Sequence, residues 1–93
     1  MASSVTGVDF VAIPSTDWKR SRAFYVDTLG FATTFRYPGA LFVSAGGYHH
    51  HLGLNTWESY GGKPPPRGTT GLYHVAILYP SRAALADALR RVM

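Results

Sequence analysis

Residues 8–31 read VDFVAIPSTDWKRSRAFYVDTLGF, and this stretch decides the fold. Its first six residues are apolar apart from Asp9, with β-branched Val8, Val11 and Ile13 among them, and Pro14 closes them, which is the pattern of a short strand. Ser15, Thr16 and Asp17 then offer side-chain oxygens to the free N–H groups at a helix start. From Trp18 onward Trp18, Ser21, Phe24, Tyr25 and Leu29 recur at helical spacing. Gly30 stands where a helix closes on a left-handed residue.

Outward from this core the chain alternates over residues 31–37, which predicts a strand with Phe31, Thr33, Phe35 and Tyr37 on one side. Pro38-Gly39 turns the chain, residues 40–44 form a second short strand, and Gly46-Gly47 turns it again. Residues 48–57 complete the set as a longer strand. The predicted order is β-α-β-β-β. Residues 58–71 (ESYGGKPPPRGTTG) read as a linker, with the three prolines extended and semi-rigid.

After the linker the pattern restarts. Residues 72–79 read as a strand, Ser81 as an N-cap, and Leu85, Ala88, Leu89 and Val92 as the apolar stripe of a helix. Arg90 and Arg91 lie at its end, where the helix dipole favours cations. Gly71-Leu72-Tyr73-His74-Val75-Ala76-Ile77 repeats the pattern of Gly7-Val8-Asp9-Phe10-Val11-Ala12-Ile13, with His74 in the place of Phe10. A strand, a cap and a helix follow in both copies, which points to duplication. The expected class is α+β, in three parts: a βαβββ module over 1–57, the linker over 58–71, and the β-α start of a second module over 72–93.

Composition narrows the function. The chain has 93 residues, 46% hydrophobic and 15% charged, which excludes a disordered segment. No stretch is apolar enough to span a membrane, and no basic-then-apolar leader opens the chain, so a cytoplasmic protein without a membrane partner is expected. There is no cysteine, hence no disulfide, thiolate nucleophile or sulfur-ligated metal. The formal charge of +4 owes as much to few acids as to many bases. Its basic residues form no stripe with interleaved aromatics, so nucleic acid is not an expected partner.

The opening strand, followed by Arg20-Ser21-Arg22-Ala23-Phe24-Tyr25 and Leu29-Gly30-Phe31, resembles the vicinal-oxygen-chelate superfamily of glyoxalases, bleomycin-resistance proteins and extradiol dioxygenases. Gly47-Tyr48-His49-His50-His51-Leu52-Gly53-Leu54-Asn55-Thr56-Trp57 and the strand carrying His74 are similar to its dioxygenase-like branch. The resemblance implies paired βαβββ modules whose cupped sheets enclose a metal and a substrate. It also implies that this chain is truncated within its second module, short of the family's carboxylate ligand.

Alternation along the strands places Val11, Ile13, Leu52 and Leu54 against a helix. It places Phe10, Ala12, His49, His51, Gly53, Asn55, His74 and Ala76 on the opposite, concave side. Matched to the resemblance, the family's ligand positions fall on Phe10, which cannot bind a metal, on His51, on His74 and on the missing segment. The implied metal ligands are therefore His74 and His51, for Fe(II), Mn(II), Ni(II) or Zn(II). His51 is also the acid–base candidate, and Phe10, Asn55 and Tyr73 are the substrate-contacting candidates. Three readings stand: a dioxygenase- or glyoxalase-type enzyme acting on a small molecule with vicinal oxygens, a metal-free binding module, or an inactive truncated chain. An apolar, unpaired strand over 72–79 further predicts a homodimer, with the strand–helix unit exchanged between protomers.

Overall fold

The computed structural model describes residues 4–5, 7–72 and 74–93. Strand β1 (Val11–Pro14) leads through a short corner into α1 (Trp18–Arg22), which continues without a break as a π-helical segment, Ala23–Thr28. Strands β2 (Ala32–Tyr37), β3 (Ala40–Ser44) and β4 (Leu52–Asn55) follow, and α2 (Arg82–Val92) ends the chain. This is the α+β architecture expected, a βαβββ module with the beginning of a second.

Local chemistry accounts for the helix ends. Asp17 accepts hydrogen bonds from the N–H groups of Lys19 and Arg20, and Ser81 accepts from Ala84 at the start of α2. Gly30 follows the π-helical segment at φ 94°, a left-handed conformation that a β-carbon disfavours. The wider turn shows in its bonds, with the Leu29 N–H donating to the Phe24 carbonyl and that of Phe31 to the Tyr25 carbonyl.

The sheet order is β1-β4-β3-β2, with β1 parallel to β4 and the other pairs antiparallel. Val11, Leu52 and Val43 are neighbours across the sheet, as are Ile13, Leu54 and Leu41. This face lies under the helix. Leu41, Val43, Leu52 and Leu54 form the buried core, and Ile13, Tyr25, Val26 and Phe31 pack against it. Burial pushes the Tyr25 phenol above its ordinary pKa.

Three expectations are corrected. First, β2 does not keep one face throughout: a bulge between Thr33 and Phe35 sets Thr33 opposite Val43 but Phe35 opposite Phe42. Phe31 and Thr33 therefore face the helix, while Phe35 and Tyr37 face away. Second, the last strand of the module is shorter than residues 48–57, because the chain is still curving at 48–51 after the two glycines. Third, the described residues of 72–79 are assigned to no regular strand.

Two side-chain hydrogen bonds tie the second part to the first. The Tyr79 hydroxyl donates to the Leu29 carbonyl at 2.8 Å, and Arg91 Nε donates to the Thr28 carbonyl at 2.6 Å. Both acceptors are orphan carbonyls at the end of the first helical run, where a cation is also favoured by the dipole. Asp87 holds the Arg91 guanidinium from one turn earlier in α2.

Two substitutions test this account. Gly30→Val is expected to destabilise the fold by more than about 1 kcal/mol, through backbone strain rather than a clash. The nearest atom to an added β-carbon is Arg91 Nη2 at an ordinary 3.6 Å. Tyr79→Phe should cost about 1 kcal/mol by leaving the Leu29 carbonyl without its donor. Urea denaturation of each variant against the wild type reads both values.

Candidate functional site

The side of the sheet away from the helix is a half-open aromatic surface. Across the ladder Phe35, Phe42, Gly53 and Ala12 form one row, and Tyr37, Ala40, Asn55 and Pro14 the next. Gly53 matters here because it has no side chain. A β-carbon on it would sit 3.3 Å from the Phe42 ring and 3.8 Å from the Phe10 ring, so the glycine lets both rings lie close over the strand. Phe35 and Phe42 lie 6.0 Å apart between centroids, within the range of favourable aromatic pairing. Phe10 is 44% exposed, Phe35 58% and Tyr37 60%, which is unusual for aromatic side chains gathered on one sheet face. At the rim Trp57 donates through Nε1 to the Pro38 carbonyl.

The histidines are placed by the bulge and the loop after it. Thr34, the extra residue of the bulge, sets its hydroxyl 2.5 Å from the His49 carbonyl and 3.2 Å from the Phe42 carbonyl. That bond pins the loop against β2. The His50 ring packs between Phe10, at 4.2 Å, and Phe42, at 4.9 Å, on the open face. The Tyr48 hydroxyl donates to Asp9 at 3.2 Å. Desolvation, then the Asp9 charge and this hydrogen bond, raise the Tyr48 pKa, so at neutral pH the phenol keeps its proton and donates.

Of the residues expected in the site, Phe10 and Asn55 are on this face. Asn55 turns its side-chain oxygen to the Trp57 N–H at 3.4 Å. His51 is not beside Gly53 as alternation predicts. Its Nδ1 accepts from the Ala45 N–H at 3.2 Å, and it borders a cavity of about 350 Å³ with Val11, Phe31, Leu52 and residues 75–78. Those are helix-side neighbours, and His50 takes the open face instead. Parity counted back from Leu52 holds only in an unbroken strand, and the regular strand starts at Leu52. His74 is exposed and immediately precedes the segment lining that cavity. Tyr73 lies outside the described residues. Among the described residues no three histidine or carboxylate side chains come together as a metal site. His50 and the row of Phe35 and Phe42 were not singled out from the sequence; the only hint was Thr33-Thr34 interrupting an aromatic alternation.

The sheet thus has one face under a helix and the other aromatic and open. The profile of the Glyoxalase/Bleomycin resistance protein/Dioxygenase superfamily matches residues 7–93, and the chain belongs to that superfamily. Among curated proteins, "Catechol-2,3-dioxygenase" of Bacillus subtilis (strain 168) is 40% identical over 89 residues, covering 94% of this chain. The chain spans only 31% of that relative's length. Among solved structures, the one titled "Crystal structure of SMU.1112c" superposes with a TM-score of 0.65 at 26% identity, over 96% of this chain and 76% of the other.

The floor of the cup gives a direct test. Gly53→Val puts a branched side chain under the Phe10 and Phe42 rings and should displace both, lowering the melting midpoint by several degrees, since about 1 kcal/mol moves a small domain by roughly 4–8 °C. Differential scanning calorimetry measures it, and an unchanged midpoint would show that the rings do not rest on Gly53.

Proposed function

We propose that this chain forms the aromatic half of a cup for a small aromatic molecule bearing two vicinal oxygens, within a dioxygenase-type protein of its superfamily. The observation that carries the reading is the exposed face of Phe10, Phe35 and Phe42 over Gly53, in a chain 40% identical to a catechol dioxygenase across nearly all its length. Flat aromatic ligands stack favourably on such rings. Asn55 and the Tyr48 phenol on the adjoining loop bring hydrogen-bonding groups toward its rim.

A family metal would be held by His74 and His51. The described residues do not make a complete site for it, since His51 has its Nδ1 on the Ala45 N–H and no third ligand joins it. No catalytic step is therefore assigned to these residues. Oxygenase activity requires donors from elsewhere, from a second copy or from further chain of the kind present in the longer relative. The missing donor set favours one other reading, a metal-free module that sequesters the same class of ligand.

The proposal includes a homodimer. Leu78 is 98% exposed, and Leu85, Leu89 and Val92 leave most of the α2 stripe uncovered. Exchange of this strand–helix unit between protomers would cover that surface. Sedimentation velocity across a concentration series should show a dimer, and a monomer at every concentration would overturn that part.

The ligand reading is tested by titrating the protein with catechol and following tryptophan fluorescence. Saturable quenching is expected, and Phe10→Asp should weaken it by at least about tenfold, the loss of roughly 1.4 kcal/mol. Phe24→Asp, on the opposite side of the sheet, should leave it within about twofold. No saturable quenching, or equal loss in both variants, overturns the reading.

A further inference from the structure

A second group of imidazoles lies apart from the positions that the family pattern assigns to a metal. We propose that His49 and His50 form a chelating pair that holds one divalent transition-metal ion, of the Cu(II), Ni(II) or Zn(II) type, through their two Nδ1 atoms. The site is independent of the catechol reading and of His51 and His74.

The geometry comes first. His49 Nδ1 and His50 Nδ1 are 3.1 Å apart. Metal–imidazole bonds of about 2.0–2.1 Å set two adjacent ligands about 2.9 Å apart at a right angle and about 3.4 Å apart in a tetrahedron. The observed separation lies between these, so an ion is accommodated by a small swing of the exposed His49 ring. The two adjacent residues turn their Nδ1 atoms toward one another. Here the chain does so because the Thr34 hydroxyl fixes the His49 carbonyl while Phe10 and Phe42 fix the His50 ring.

The chemistry of His50 selects the atom. Its Nε2 is buried and has no hydrogen-bond partner among the described residues. Packed between two phenyl rings, that nitrogen is closed to a metal and to water, which leaves Nδ1 as the coordinating atom. With the His50 proton on Nε2, directed among the aromatic faces, the Nδ1 lone pair points at His49. Without metal, His49 donates its Nδ1 proton into that lone pair. In the metal-bound form the His49 ring takes the tautomer with its hydrogen on Nε2, so both Nδ1 lone pairs face the ion.

The surroundings leave room for the rest of the shell. A cavity of about 510 Å³, lined by Thr34, Phe35, Phe42, Gly47 and Tyr48, opens beside the two rings. Water or a bidentate oxygen ligand would fill the open positions. Two imidazoles with open positions suit borderline ions, Cu(II) above all, rather than Mg(II) or Ca(II).

The test uses the metal alone. The whole chain is titrated with Cu(II), Ni(II), Zn(II) and Mg(II) by calorimetry, and the Cu(II) form is examined by electron paramagnetic resonance. One Cu(II) per chain with nitrogen ligation is expected, and no Mg(II). His49→Ala and His50→Phe should each weaken Cu(II) binding by at least about tenfold, while His51→Ala and His74→Ala stay within about twofold. His50→Phe retains a ring between Phe10 and Phe42, so loss of binding with an unchanged circular dichroism spectrum reports the nitrogen and not the packing. Three results would overturn the proposal: no binding by the wild type, unaltered binding by the His49→Ala/His50→Phe double variant, or an equal loss in His51→Ala or His74→Ala. Catechol quenching in the absence of metal reports separately on the aromatic cup, so the two readings fail independently.

Discussion

Burial of Leu41, Val43, Leu52 and Leu54 beneath the first helix is the constraint that organises this molecule. Each such side chain contributes about 1.5–3 kcal/mol when fully removed from water. No other described part of the chain has a comparable cluster, since α2 buries only Ala88. Because these four residues alternate along two adjacent strands, their burial commits one face of the sheet to the helix. The opposite face, with Phe35, Phe42 and Gly53, is thereby committed to the outside. The candidate site is a consequence of the core: the rings that face solvent do so because their neighbours in sequence are already packed.

The bulge at Thr34 is what makes that outer face aromatic. Without it Phe35 and Tyr37 would share the side of Phe31 and Thr33, under the helix. One inserted residue moves two rings across the sheet and frees a hydroxyl to hold the His49 carbonyl. The same device thus builds the aromatic row and fixes the loop that carries the histidines. Bulges beside functional loops commonly act this way, re-aiming side chains that strict alternation would place elsewhere.

The second part of the chain is attached by a different physics. Tyr79 and Arg91 reach the last carbonyls of the first helical run, and most of the α2 apolar stripe remains exposed. These hydrogen bonds fix position, while Leu78, Leu85, Leu89 and Val92 stay largely exposed.

Much of this was legible in the residues because it is local. Asp17 and Ser81 cap the helices as their side chains suggest, Gly30 takes the positive φ that closes the first run, and the order of elements follows from periodicity and turns. Family membership was legible too, from the strand–helix opening and the histidine-rich strand. The assignment of faces was not. Which side receives Phe35, and whether His50 or His51 turns onto the aromatic surface, depends on a bulge and on a loop whose register is set by cross-strand hydrogen bonds. Whether residues 74–79 form a regular strand is likewise decided by pairing and not by local propensity. Propensity, capping and alternation act over a few residues and are written in the chain. Register and pairing are set between segments far apart in sequence, and only the tertiary structure decided them.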